Sequence, residues 1–428
     1  MRDNQIVVGV DIGSSKIAAV IGQVQEDSIN VLGVAEIPSR GIRKGQIVDI
    51  EDAASAVNQA LDASERMAGY NIDRAFVSVS GVHVESQNSK GIVAISQANG
   101  EIGPSDVDRV LEAAGAISKP TSSNVIHVLP RTFTVDGEGG IKDPIGMTGV
   151  RLEVETHIIS VNAVSVKNIH RVLESEAGVQ VSSLVFSGFA SALSTLTDTE
   201  KELGVVVIDI GSGITNICIF VDGALAHSRV IPIGARHITN DLAIGLRISL
   251  ESAEKIKLFL SDKFRKPRHL RPEEVAEKTD EVDLSELKLI EDLRKVSQKT
   301  LVDGIIRPRL NELFTMVGIE LKKSGFGSQT PAGIVITGGG ALTVGAEDAA
   351  KRMLAMPVRV AYPQKITGLI DDVENPAYAT AIGLLYFGKN FSNRQAPGMM
   401  DGLLNFGSIG PLNQLTHRVK KLIKHFLP

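Results

Sequence analysis

A single cysteine, Cys218, in a chain of 428 residues has nothing to pair with. That excludes an intrachain disulfide framework and suits a reducing cytoplasm. The residue sits inside the apolar run Ile217-Cys218-Ile219-Phe220, where a buried small hydrophobe is expected rather than a nucleophile. No apolar run approaches the roughly 18 residues that a membrane-spanning helix needs. Met1-Arg2-Asp3-Asn4 leads straight into an apolar segment, without the pattern of a signal peptide. Excess positive charge is missing too, for the net charge is −5, which gives no whole-chain reason to expect nucleic acid. Two common nucleotide devices are also absent. No G-x-x-x-x-G-K-[ST] loop occurs, and no G-x-G-x-x-G turn follows the first strand.

What the chain does have is one motif twice. Val7-Val8-Gly9-Val10-Asp11-Ile12-Gly13-Ser14-Ser15 recurs as Val205-Val206-Val207-Ile208-Asp209-Ile210-Gly211-Ser212-Gly213. Each copy is an apolar run, an Asp, a glycine-rich turn and a second β-rich run, which predicts two β-hairpins with a tight Asp-x-Gly-Ser corner. Glycine at such a corner lets the backbone approach a ligand, and successive N–H groups form a concave anion site. Asp11 and Asp209, at the strand ends, are placed to hold a metal ion through water. Two corners in matching positions suggest duplicated halves gripping one phosphate chain from both sides. A third element, Gly333-Ile334-Val335-Ile336-Thr337-Gly338-Gly339-Gly340, is a strand ending in consecutive glycines. Such a turn has no side chain to keep a flat base and ribose off the backbone. The three elements in this order resemble the phosphate 1, phosphate 2 and adenosine motifs of the actin-like ATPase superfamily.

The hydrophobic periodicity divides the chain around these motifs. Residues 1–82 read as a first-half core that includes the basic turn Ser39-Arg40-Gly41-Ile42-Arg43-Lys44-Gly45 and a helix over 50–68. Residues 83–160 read as an inserted α+β subdomain with strands over 91–95, 125–128 and 152–159, and 161–198 return to the first half. The second-half core takes 199–240 and 324–375, with a helical, charge-rich subdomain over 241–323 between them. A small-residue helix over 376–388 is expected to cross back between the halves. Residues 389–411, rich in Asn, Ser, Gly and Pro, read as a flexible linker.

The tail, 412–428, carries a separate signal. At 100° per residue, Leu412, Leu415, Val419, Leu422, Ile423, Phe426 and Leu427 share an arc of about 140°. His417, Arg418, Lys420, Lys421, Lys424 and His425 fill the opposite arc, with no acidic residue between. A helix docked on its own core is the ordinary fate of such a segment, and a calmodulin-type groove is a further option. The detaching linker and the wholly basic polar face favour an anionic membrane surface, where each cation contributes on the order of 1 kcal/mol.

Over essentially its whole length the chain resembles FtsA, the actin-related family of bacterial cell division. The Ser39–Gly45 turn with Val48-Asp49-Ile50, the stretch Gly140-Ile141-Lys142-Asp143-Pro144-Ile145-Gly146-Met147-Thr148-Gly149-Val150-Arg151, the turn Ile336-Thr337-Gly338-Gly339-Gly340-Ala341 and the basic tail carry the match. The fold expected is α/β and actin-like: duplicated ribonuclease-H-like halves, an inserted α+β subdomain and a C-terminal amphipathic helix. The resemblance implies an ATP cleft with Mg2+, head-to-tail filaments and peripheral attachment to the inner face of the cell membrane. It also implies that 241–323 receives the C-terminal peptide of FtsZ, and that other division proteins bind. In the cleft it assigns Asp11, Gly13, Ser14 and Ser15 to phosphate 1 and Asp209, Gly211, Ser212 and Gly213 to phosphate 2. It gives Gly338, Gly339 and Gly340 to the adenosine side, and Glu254 and Lys257 to ribose and adenine. Lys16 either reaches a phosphate or points to solvent. Arg307 and Arg309 are candidates to meet the acidic groups of the peptide, or are simply a solvated helix face. The stretch Phe186-Ser187-Gly188-Phe189-Ala190-Ser191-Ala192 has no carboxylate or amide to orient water, so slow hydrolysis is expected and no catalytic residue is assigned. Two alternatives share the fold: a PilM-type pilus-assembly protein, which would not need the basic tail, and a small-molecule kinase, for which no base is found.

Overall fold

A computed structural model describes residues 5–97, 99–117, 120–264 and 280–394. The amphipathic tail, with Leu415, Arg418, Val419, Lys420, Lys421, Leu422, Ile423, Lys424, Phe426 and Leu427, lies outside the described residues, as does the linker from 395.

Both copies of the motif form antiparallel hairpins, and each hairpin's first strand has a parallel neighbour on its other side. In the first half, Ile6–Ile12 pairs with Lys16–Val24 and runs parallel to Arg74–Val79. In the second, Val205–Ile210 pairs with Thr215–Val221 and runs parallel to Ile334–Thr337. The two sheets therefore repeat one design, six-stranded in the first half and five-stranded in the second. Strand period decides what each face of the second sheet touches. Val205, Val207, Cys218 and Phe220 join the core of the first half, whereas Val206, Ile208, Ile210 and Ile217 pack on the second half's own helices. Cys218 is fully buried, as its apolar neighbours predict.

Helix Ile50–Ala68 starts where the Asp49 side chain accepts from the Asp52 N–H and stops at Gly69 in the left-handed region. Its alanines and Val57 face the first sheet. The small-residue helix runs on to Arg394, so residues 389–394 belong to it and not to the expected linker. Phe391 packs edge-on against Phe76, and the Lys389 ammonium donates to the Gln25 and Glu26 carbonyls, which holds that last turn on the body. The expectation that this helix crosses between halves needs correction as well. Its body packs on the first half, with Gly383 set so close to Ala190 that a Cβ would fall 1.8 Å from that carbonyl oxygen. Tyr386 on this helix donates to the Gln364 and Lys365 carbonyls, next to strand Ile366–Gly368, expected in the second half but paired with Ile29–Val31 in the first sheet.

The inserted unit has a four-stranded sheet, with Glu85–Ala94 at one edge, and a helix, Pro104–Gly115. Between the strands expected over 125–128 and 152–159 lies a further short strand, Glu138–Ile141. Strand Arg151–Asn162 serves two cores, since Leu152 and Val154 pack inside the insert while Ile159 and Val161 belong to the first half. Along the edge Glu85–Ala94, the insert meets another edge, Ala224–Ile231 of the second half. Ser86 Oγ donates to the Ser228 carbonyl at 2.7 Å and Asn88 Nδ2 to the Ala226 carbonyl at 3.2 Å, while His157 bridges Asn88 and Ser228. Side chains thus cap both edges where a ladder would otherwise extend the sheet. Between helices Leu250–Lys263 and Arg307–Ser324, the region read as helical also holds a two-stranded ribbon, Glu281–Asp283 with Lys295–Ser297.

Candidate functional site

The duplicated turns have the same internal bond. Gly13 N–H donates to the Lys16 carbonyl and Gly211 N–H to the Ile214 carbonyl, each at 3.0 Å. A Cβ at either glycine would stand 3.0 Å or less from that acceptor oxygen, so the turn closes only without one. The tips of the two turns meet: a Cβ on Gly213 would lie 3.3 Å from Ser14 Oγ. Ser14 Oγ accepts from the Gly45 N–H at 2.9 Å, which ties the first turn to the basic turn that follows it in sequence. Ser15 and Ser212 complete the tips, and the Ser212 carbonyl accepts from Arg236 at the start of helix Ala235–Leu246.

The strand ends bring Asp11 and Asp209 together. Ser78 Oγ donates to Asp11 at 2.6 Å. Asn216 Nδ2 donates to Asp209 at 3.0 Å, with Ser80 Oγ donating in turn to Asn216. Burial pushes the Asp209 carboxyl up to about 7, and the nearby Asp11 charge adds to the rise while the Asn216 and Thr380 hydrogen bonds oppose it. Burial likewise raises Asp11. Two desolvated carboxylates side by side are costly without a cation between them. An all-oxygen donor pair suits a hard divalent ion such as Mg2+, which keeps several waters and takes one or two carboxylates. No cluster of three or more His, Cys, Asp and Glu side chains gathers among the described residues, so the remaining ligands would be phosphate and water.

The glycine turn behind them is built differently from expectation. Gly338 has φ +81°, and a Cβ there would strike Asp209 Oδ1 at 2.3 Å; one on Gly340 would strike Ile210. These two glycines are required by their fit against the strand that ends in Asp209 and Ile210. Gly339 alone is exposed, with only Ala377 near its missing Cβ. Glu254 and Lys257 lie together on one helix as expected: Lys257 Nζ bonds Glu254 at 2.8 Å, and Thr239 donates to the same carboxylate. That helix reaches the glycine turn through Ser261, which accepts from the Val344 N–H.

Other expected residues have prior engagements. Lys16 neither reaches the turn tips nor points freely to solvent; it pairs with Glu36 at 2.6 Å and lies over the Tyr378 ring. Arg309 clamps Asp241 with two bonds, 2.6 and 2.9 Å, and also pairs with Glu312, so its charge serves a helix-to-helix contact. Arg307 pairs with Asp303. Ser78 and Asn216 on strands and Thr380 on a helix are not evident from sequence, because a buried polar residue in an apolar element shows its partner only once the elements pack. The apolar run broken by Asn216 was the available sign.

Residues 206–383 match the family described as Cell division protein FtsA, and residues 81–160 match the SHS2 domain inserted in FtsA. The chain is 36% identical to Cell division protein FtsA of Pseudomonas aeruginosa, with 99% of each chain covered. It is 37% identical to that of Bacillus subtilis over 90% of this chain and 84% of the relative, and 36% identical to that of Escherichia coli K12 over 90% and 91%. Among solved structures, the PilM-PilN type IV pilus biogenesis complex superposes with a TM-score of 0.63 at 17% identity, covering 89% of this chain and 98% of that one. MreB 5 of Spiroplasma citri bound to AMPPNP gives a TM-score of 0.53 at 15% identity, over 91% and 97%. These two likenesses establish a shared actin-like fold.

Proposed function

Since the chain belongs to the FtsA family of actin-like cell division proteins, we propose that it binds Mg-ATP between its halves, assembles into filaments and anchors FtsZ to the inner face of the cell membrane. The carboxylate pair of half-buried Asp11 and buried Asp209, at the ends of the duplicated turns, carries the nucleotide part of this reading. A bound magnesium ion would neutralise phosphate charge there; the chain's own part is to orient it through Asp11 and Asp209 and to offer backbone N–H groups at Gly13–Ser15 and Gly211–Gly213. Hydrolysis is slow in this reading, because helix Ser187–Thr195 opens with no carboxylate or amide.

Asp209→Ala should lower Mg-ATP affinity sharply in a fluorescence titration, and unchanged affinity would remove the cleft assignment. FtsZ is received by 241–323, and later division proteins join the same assembly. The tail supplies the membrane contact: one helix of about 16 residues binds reversibly, and filaments make the attachment lasting by avidity. Phe426→Glu should release the full chain from anionic vesicles in co-sedimentation; undiminished binding would make the tail an ordinary docked helix.

A further inference from the structure

The second-half sheet runs from Ala224–Ile231 at one edge to Val358–Val360 at the other, with Asp209 on its middle strand. Both edges are held to the rest of the molecule, by different means. At the Val358–Val360 edge, Arg359 donates two bonds to Glu200, at 2.6 and 2.7 Å. It also donates to the Thr195 carbonyl, at the end of the first-half helix Ser187–Thr195. Gln364 follows it, donating its N–H to the Ser194 carbonyl and its side-chain amide to that of Thr195. The chain itself crosses between the halves here, so this edge can turn but cannot leave.

No chain crosses at the Ala224–Ile231 edge, where the insert makes the connection instead. Ser86 and Asn88 donate to the Ser228 and Ala226 carbonyls, and His157 ties Asn88 to Ser228. Beside them the Arg131 guanidinium lies over the Phe326 ring at 5.2 Å. The insert is rooted in the first half, whose core takes Ile159 and Val161. Its edge and the second-half edge belong to separate sheets and share no ladder. Each bond across the seam is made by a side chain and shifts an equilibrium by only a modest factor. The seam can part without unpairing a strand.

One attachment pivots and the other parts. We infer that the insert is a catch on the rotation of the two halves: seated on Ala224–Ile231 it fixes the width of the cleft, and unseated it leaves the second half free to turn about the Arg359 edge. Hinged closure of this kind needs only a few residues to absorb the motion. Asp209 stands on a strand between the two attachments, so release moves it relative to Asp11. A force on the insert then reaches the cleft without any contact there.

Spin-label distance measurement on the full chain, with labels at Met67→Cys and Met353→Cys, tests it. Both methionines are exposed, one on the first-half helix Ile50–Ala68 and one on the second-half helix Ala346–Leu354. Cys218 is fully buried, so only the introduced thiols take the label. Without nucleotide, the seated catch should give one narrow distribution. The Ser86→Ala, Asn88→Ala double variant should give a broader one or a second peak. Asn88→Asp, which sets a carboxylate against the Ala226 carbonyl, should do the same from an exposed position. Lys142→Gln removes only the exposed pair with Glu202 and should leave the distribution unchanged. Parent-like distributions in both seam variants, or equal broadening in Lys142→Gln, overturn the inference. On the Mg-ATP reading above, release of bound Mg-ADP should also quicken about tenfold in the double variant, and an unaltered rate overturns the link from catch to cleft. A parent chain that binds no nucleotide removes that reading and leaves the distances to decide on the catch.

Discussion

Asp209 ends a strand inside the molecule with its carboxyl pushed up from the ordinary 3.8 to about 7. Below about pH 4 the folded and unfolded chains both hold that proton. Between there and about 7 the unfolded chain releases it while the folded chain keeps it, so stability contributed here falls as pH rises across that window and then levels. Asp209→Asn removes the titration at nearly constant shape. At pH 8 without nucleotide its melting temperature should exceed the parent's by roughly a few degrees, the size of a 1 kcal/mol effect in a large chain, and added Mg2+ should no longer raise it. Parallel melting curves for the two proteins from pH 5 to 8 would refute this. The positions of Asp11, Asp209, Gly13 and Gly211 were legible in the sequence because a tight turn is a local problem, solved by residues adjacent in the chain. The role of Gly338 was not, since the atom that forbids its Cβ belongs to Asp209, more than a hundred residues away.

Among the elements, the 19-residue helix Ile50–Ala68 keeps the bounds that periodicity predicts. The ribbon of Glu281–Asp283 and Lys295–Ser297 escaped, because strands of three residues are too short to show a period. The small-residue helix declared its close packing but not its partner. At Gly383 even one methyl group meets the Ala190 backbone, and Gly383→Ala should cost about 1–3 kcal/mol by overpacking, read as a lower urea midpoint. An unchanged midpoint would mean the two helices separate freely. Arg309→Ala should likewise lower the midpoint by unclamping helix Arg307–Ser324 from Asp241, and a loss of FtsZ binding without any such change would show that Arg309 is a docking residue after all.

At the scale of the whole molecule, the insert is seated on the second half by side chains. His157, at the centre of that seam, is 1% exposed, and burial holds its imidazole down at about 3. The nearby His227 and Arg131 charges act in the same direction. Here the unfolded chain takes up the proton first, so the seam's contribution is full at neutral pH and is lost as pH falls below about 6.5. His157→Gln should flatten the acid side of the stability profile between pH 6.5 and 4; an unaltered slope would place the sensitivity elsewhere, as at the equally depressed His127. Two half-molecules and an insert were readable from the repeated motif and the change in period, whereas their seams were not, because edges declare their partners only in three dimensions. Strand Arg151–Asn162, shared by the insert and the first half, has a mechanical consequence. The insert is joined to the body by a continuous strand, laced along its length to Glu85–Ala94 on one side and Ser123–Val135 on the other. A pull along that strand loads many ladder bonds in shear at once. Load on the insert is then shared with the first half through Ile159 and Val161, which the same strand buries in that half's core.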